Sequence, residues 1–111
     1  MSRTYDVCVD GAFSRSSSLS GCGVVILEHD VGVLEAFICG IKARNSLEAE
    51  LWGCVCGLRR AWNLNIKFCR LWTNALEVIE LININEYERH ESVEFIRELK
   101  MLLVKDWTVH V

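Results

Sequence analysis

The sequence predicts a mixed α/β domain in which a small sheet is laid down first and helices are added to it. Three observations carry this. Up to Ile41 the chain is built of short, apolar, often β-branched runs separated by serine, glycine and aspartate. At Asn45 the apolar period switches from two to 3.6. After that helical stretch a further apolar run, Lys67 to Thr73, returns as a strand. A strand–helix–strand crossover of this kind is right-handed and places the returning strand parallel to the first.

Taken in order, Tyr5 to Asp10 is the first strand, with Val7 and Val9 on one face and Cys8 and Asp10 on the other. Apolar character on both faces predicts an interior strand of a covered sheet. Asp10 is expected at the strand's end, where it either caps the turn opened by Gly11 or is held rigidly for chemistry. A Ser/Gly-rich loop from Ser14 to Gly23 leads to a second strand, Val24 to Glu28. His29 to Gly32 is a tight reversal, and Val33 to Ile41 returns as a third strand, completing an antiparallel meander. His29 is read as an exposed turn residue.

Asn45 is a good N-cap, and Glu48 three residues later completes a capping-box pattern. Leu47, Leu51, Cys54, Val55, Leu58, Ala61 and Trp62 form one apolar stripe of a helix ending near Asn63, with Trp62 in the core. Glu50 lies at the margin of that stripe, on the same flank as Gly53 and Gly57, whereas Glu48 points elsewhere and is accounted for by capping. Asn74 ends the fourth strand as Asp10 ends the first. Helices are expected from Ala75 to about Ile84 and from Glu91 to Lys105, joined by a polar link, and Trp107 to Val111 begins a last strand.

A chain of 111 residues makes one domain with a modest core. Its 51% apolar and 24% charged residues describe a globular protein, and its net charge of −3 argues against broad electrostatic attraction to nucleic acid. The six cysteines form no CxxC pair, so spacing gives no zinc site, and they read as small buried hydrophobes of a reducing compartment. A cysteine-based redox or metal protein is disfavoured on the same ground. There is no signal-peptide pattern and no stretch of transmembrane length, which predicts an intracellular protein of the nucleus or cytoplasm.

The predicted order of elements makes the ends of the first and fourth strands neighbours, with the start of the first helix packed near them. Asp10, Asn74 and Glu50 then stand together. Oxygen donors converging from two strands and a helix suit a hard cation such as Mg²⁺, and a pair of such ions activates water against a phosphodiester. Capping and turn formation account for the same residues without any metal.

Val9-Asp10-Gly11-Ala12-Phe13, the Gly21-Cys-Gly-Val-Val-Ile26 strand, Asn45-Ser-Leu-Glu-Ala-Glu50-Leu51 and Asn74-Ala-Leu-Glu-Val-Ile79 together resemble the ribonuclease H-like domain common in plants and at the ends of retroelement reverse transcriptases. The similarity runs over nearly the whole chain. It implies a five-stranded sheet ordered 3-2-1-4-5, strands 1 to 3 antiparallel, with helices packed on it. It also implies binding of RNA–DNA hybrid and Mg²⁺-dependent hydrolysis of the RNA strand at a centre of four acids. Asp10 matches the first acid and Glu50 the acid on the first helix. Asn74 falls where the family carries an aspartate.

The fourth aspartate, the histidine loop before it and the last helix are expected beyond Val111, so residues 1–111 read as a single domain truncated at its C-terminal end; His110 is not given the loop histidine's role. Formal ligand charge falls from four to two negative charges, which predicts weak Mg²⁺ binding and impaired catalysis. Substrate contacts are expected from Ser14, Asn45 and Ser46, which bond phosphate and sugar oxygens without adding charge. Arg59, Arg60, Lys67 and Arg70 read as a solvated helix end complementing its dipole rather than as phosphate contacts. The alternative function is a non-catalytic protein-interaction module that keeps the fold and uses Trp52 or Trp72.

Overall fold

The computed structural model describes residues 3–13, 20–41 and 43–111. Strands β1 (Tyr5–Phe13), β2 (Ser20–Glu28) and β3 (Gly32–Ile41) are followed by helix α1 (Ser46–Asn63), strand β4 (Phe68–Thr73), helices α2 (Leu76–Asn83) and α3 (Val93–Leu103), and strand β5 (Thr108–His110). They form one sheet ordered β3-β2-β1-β4-β5. The β1–β2 and β2–β3 pairs are antiparallel, and the β1–β4 and β4–β5 pairs are parallel. The meander and the helical crossover thus put β1 at the centre, as the sequence predicts. Among the described residues no helix is long and apolar enough to cross a membrane.

The first strand does not stop at Asp10. It runs on to Phe13, paired with β2 throughout, while its pairing with β4 ends at Val9↔Thr73. Gly11 therefore serves close approach rather than a turn. A Cβ there would lie 2.8 Å from the backbone nitrogen of Glu50 and 2.9 Å from the carbonyl carbon of Ala49. Gly53 and Gly57 repeat the arrangement along α1, where a Cβ would meet Val9 and Cys22 at the first position and Val7 and Val24 at the second. The three glycines let α1 lie directly on β1 and β2. Val7, Val9, Val24 and Ile26 then fill one core with Leu51, Val55 and Leu58 of α1, and Val78, Ile96 and Leu99 of the later helices extend it.

The opposite face of the sheet is open, which corrects the expectation of a covered strand. Trp72 on β4 is 55% exposed and Ile38 on β3 is 86% exposed. Polar contacts replace an apolar cover beside β1. Arg70 donates to both carboxylate oxygens of Asp6, at 2.8 and 3.2 Å, and the Trp72 indole N–H donates to the same group at 2.9 Å. Arg70 therefore belongs to this face and not to the end of α1. Arg59 pairs with Glu98 and Arg60 with Glu35, while the Lys67 ammonium lies over the Trp62 ring. Trp62 is half-buried rather than core, edge-on to Trp107 at 5.2 Å between ring centroids.

Asn45 caps α1, its side-chain oxygen accepting the Glu48 N–H at 2.9 Å. Glu48, however, does more than close a capping box. Its side chain is only 1% exposed and accepts from the Arg44 backbone N–H, the Arg44 guanidinium and, at 2.7 Å, the Ser92 hydroxyl. Ser92 is the N-cap of α3, so this carboxylate ties the start of α1 to the start of α3, and α3 begins at Val93 rather than Glu91. Burial alone would raise the Glu48 carboxyl, but the hydrogen bonds from Arg44 and Ser92 outweigh it and hold the group below its ordinary value.

Two expectations follow from this packing. Gly11→Ala meets helix backbone that cannot yield and loses about 1–3 kcal/mol in urea denaturation, whereas Gly40→Ala, with nothing within 4 Å of its new Cβ, leaves stability unchanged or slightly raised. A depressed folded-state pKa at Glu48 contributes stability that is complete above the ordinary glutamate value, about 4.3, and is lost as pH falls through the lower folded value. Glu48→Gln is therefore less stable than wild type at neutral pH, and the gap closes on acidification, as denaturation midpoints measured across pH will report.

Candidate active site

The site forms where β1 outruns β4. The β4 strand ends at Thr73, Asn74 follows, and the chain turns into α2, while β1 continues beside the first turn of α1. The resulting cleft, about 390 Å³, is lined by Asp10, Gly11, Ser46, Glu50, Asn74 and Glu77 among others. Asp10 and Asn74 also line a second cleft of about 360 Å³ on the open face of the sheet, with Gly23 and Trp72. They stand on the ridge between the two, and both are exposed.

Glu50 is different in kind. It is 7% exposed, and each carboxylate oxygen accepts a hydrogen bond from the fold. The Gly11 N–H donates to Oε1 at 2.5 Å and the Thr73 hydroxyl donates to Oε2 at 2.8 Å. Thr73 Oγ1 in turn accepts the Ala75 N–H at 3.2 Å, at the N-cap of α2. One carboxylate thus joins β1, α1 and β4, and through Thr73 the start of α2. Two donors fix its orientation, and the remaining lone pairs are available to a further partner.

The structure brings three of the sequence-predicted residues, Asp10, Glu50 and Asn74, into one cleft, with Ser46 at its rim. Asn45 does not join them. Its side-chain oxygen accepts the Glu48 N–H at the cap of α1. Ser14 lies outside the described residues. Two residues of the site were not singled out by sequence: Thr73, the last residue of β4, and Glu77 in the first turn of α2. Glu77 is the acid of the first turn of α2, two residues after its N-cap Ala75, and an acid at a helix start is a signal the sequence carries.

The cleft is acidic, and among the described residues no lysine or arginine lines it. Carboxylate, amide and hydroxyl oxygens are hard donors suited to Mg²⁺ or Mn²⁺ rather than to softer metals. Among the described residues, no three carboxylates gather within 4.8 Å of one another, so Glu77 does not complete an acidic triad with Asp10 and Glu50. The donor set present is two acids and one neutral amide, which fits one hard cation better than two.

A model of the reverse transcriptase-like family matches residues 8–111. The chain belongs to that family. No curated protein matches it in sequence. Among solved structures it is similar to the N-terminal RNase H domain of Rv2228c from Mycobacterium tuberculosis, with a TM-score of 0.85 at 19% identity, covering 98% of this chain and 80% of that one. It is also similar to RNase H1 from the halophilic archaeon Halobacterium salinarum, with a TM-score of 0.80, 20% identity and coverage of 97% and 85%. LC11-RNase H1, solved in complex with an RNA/DNA hybrid, gives a TM-score of 0.70 at 18% identity, covering 96% of this chain and 84% of that one. The protein is an RNase H-like domain with the five-stranded sheet of these neighbours.

Removing the Thr73 hydroxyl tests how the site is built. Thr73→Val loses one donor to a buried carboxylate and one acceptor for the Ala75 N–H, and lowers stability by roughly 1–3 kcal/mol. Thr73→Ser restores most of it. In a double-mutant cycle, Thr73→Val and Glu50→Gln are non-additive by at least about 0.5 kcal/mol; additive losses would show that the bond does not fasten Glu50.

Proposed function

We propose that this RNase H-like domain binds RNA–DNA hybrid across the mouth where β1 outruns β4, and holds a divalent cation there weakly. The observation that carries the reading is the fixed carboxylate of Glu50 beside the first strand, in the same cleft as Asp10 and Asn74. Asp10 and Glu50 supply the negative charge that holds the cation, and Asn74 offers a neutral amide oxygen. Mg²⁺, when bound, supplies the charge that lowers the pKa of a coordinated water and steadies a leaving oxygen. The Ser46 hydroxyl at the rim bonds sugar or phosphate oxygens.

Catalysis is impaired in this chain, on the same reading. Asn74 contributes no charge where an aspartate would, and two carboxylates with one amide suit a single divalent ion rather than the pair that aligns water and leaving group. With no basic side chain lining the cleft among the described residues, the phosphate backbone is drawn in through the cation rather than through arginine or lysine. Binding of hybrid is therefore metal-dependent, with a shallow dependence on monovalent salt.

A second reading draws on the open sheet face. Trp72 and Ile38 there are large, apolar and exposed, which suits a non-catalytic interaction module that retains the fold. Fluorescence anisotropy with a labelled RNA–DNA hybrid separates the two. Under the first reading, Mg²⁺ promotes binding, Asp10→Asn abolishes that dependence and Trp72→Ala does not. Hybrid cleavage stays at background in wild type. Asn74→Asp tightens Mg²⁺ binding by roughly tenfold or more, because it adds a full charge within contact distance of the cation. Absence of hybrid binding with and without Mg²⁺, in both wild type and Asn74→Asp, would favour the interaction module.

A further inference from the structure

Outside this cleft, the described residues hold one group of side chains with the chemistry of a ligand site. Cys22 on β2, Cys39 on β3 and Cys56 on α1 place their sulfurs within 4.8 Å of one another. Cysteine spacing in the sequence gives no sign of it, because the three come from three elements. A register shift brings the first two together. Near the turn, Glu28 pairs with Gly32 and Leu27 with Val33, but Ile26 pairs with Glu35, so Leu34 is an extra residue in β3. Every pair beyond it moves by one position, and Cys22 faces Cys39 directly. Without the bulge Cys22 would face Ile38, and Cys39 would be turned to the opposite, open side of the sheet. The α1 helix completes the group: its close seating at Gly53, against the Cβ of Cys22, brings Cys56 one turn later over the same strands.

We propose that Cys22, Cys39 and Cys56 form a three-sulfur site for a single thiophilic d¹⁰ cation, Cu(I) or Zn(II). Three thiolates around a cation with metal–sulfur bonds of about 2.3 Å stand roughly 3.8–4.0 Å apart. The cluster reaches that spacing by a contraction of less than about 1 Å, within side-chain adjustment. Soft sulfur donors select these ions over the hard cations suited to the acidic cleft. No fourth His, Cys, Asp or Glu joins the group among the described residues. Cu(I) is satisfied by three sulfurs, and Zn(II) takes a water as its fourth ligand.

Access and charge also suit the proposal. Cys22 is buried, whereas Cys39 and Cys56 are half-buried and line an open groove of about 350 Å³ with Glu35, Phe37, Arg59 and Arg60. An ion enters from this side. All six cysteines are free thiols in the structure. Burial pushes the Cys22 thiol up to about 11 and raises Cys56 as well, while Arg59 eases negative charge on Cys56. Cys22 and Cys56 are thus thiols that a cation must deprotonate on binding. A disulfide would engage only two of the three and leave the third beside it.

The test titrates the full reduced chain, freed of metal, with Cu(I) delivered from a bicinchoninate complex, with Zn(II), and with Cd(II) as the spectroscopic probe for the Zn(II) class. A single equivalent is expected to produce a sulfur-to-metal charge-transfer band with Cu(I) or Cd(II) and to raise the melting temperature. Cys39→Ser and Cys56→Ser lose both effects, and Cys8→Ser, a half-buried thiol outside the cluster, keeps them. A Cu(I) response without a Zn(II)-induced melting shift assigns the site to Cu(I), and the reverse assigns it to Zn(II). Independently of any variant, the ion slows alkylation of Cys39 and Cys56 in the folded wild type while leaving Cys8 unchanged. No charge-transfer band with either probe, a band of equal strength in Cys56→Ser, or unaltered alkylation of Cys39 and Cys56 would each overturn the proposal.

Discussion

The contact on which the structure depends is the seating of α1 against β1 and β2, backbone close to backbone. Gly11 on the strand and Gly53 and Gly57 on the helix are the residues that permit it, since a side chain at any of the three would enter occupied space. Protein interiors tolerate little added volume, so the separation of helix and sheet is fixed to within a fraction of a methyl group. Everything functional hangs from that separation. Glu50 reaches the Gly11 N–H because the helix is this near. Cys56 reaches the β2–β3 hairpin for the same reason, nearly two turns further along.

The same helix also divides the molecule's chemistry by donor softness. Its first turns present a carboxylate to the end of β1, and its middle presents a thiol to the hairpin behind. Hard and soft donors stand one strand apart, since Cys22 faces Gly11 across the β1–β2 ladder, and each set opens on its own cleft. Glu48 lies on yet another side of the helix and serves the architecture alone, locking α1 to α3 through Ser92. Glu48, Glu50 and Cys56, within nine positions of one helix, thus have three different fates, decided by which element each one faces.

Much of this was legible in the sequence. The change of period at Asn45 and the returning strand at Lys67 were enough to place β1 in the centre, because a right-handed crossover leaves few alternatives. Glu50 stood out by its position on the flank shared with Gly53 and Gly57, and that flank is the one pressed against β1. What could not be read locally is what depends on partners far along the chain. Gly11 reads as a turn signal because glycine before a serine-rich stretch usually is one, yet its reason is a helix backbone 39 residues away. Glu48 reads as a cap because the capping pattern is local, while Ser92 is 44 residues distant. The cysteine cluster is hidden by a single bulge, since reflecting β2 onto β3 about the turn without Leu34 pairs Cys22 with the wrong residue.

The unequal lengths of β1 and β4 leave something else behind. Beyond Val9 the β4 side of β1 has no strand beside it, so the central strand of the sheet acquires a stretch of open edge in the interior of the sheet's width. Backbone amides facing that gap have no ladder partner and would exchange their hydrogens with solvent readily. The Gly11 amide is the exception, because it donates to Glu50. Its protection against deuterium exchange depends on a single carboxylate and not on any strand. One backbone position thereby becomes a natural reporter: whatever draws Glu50 away from the fold, a competing cation above all, would register first as a faster-exchanging hydrogen on Gly11.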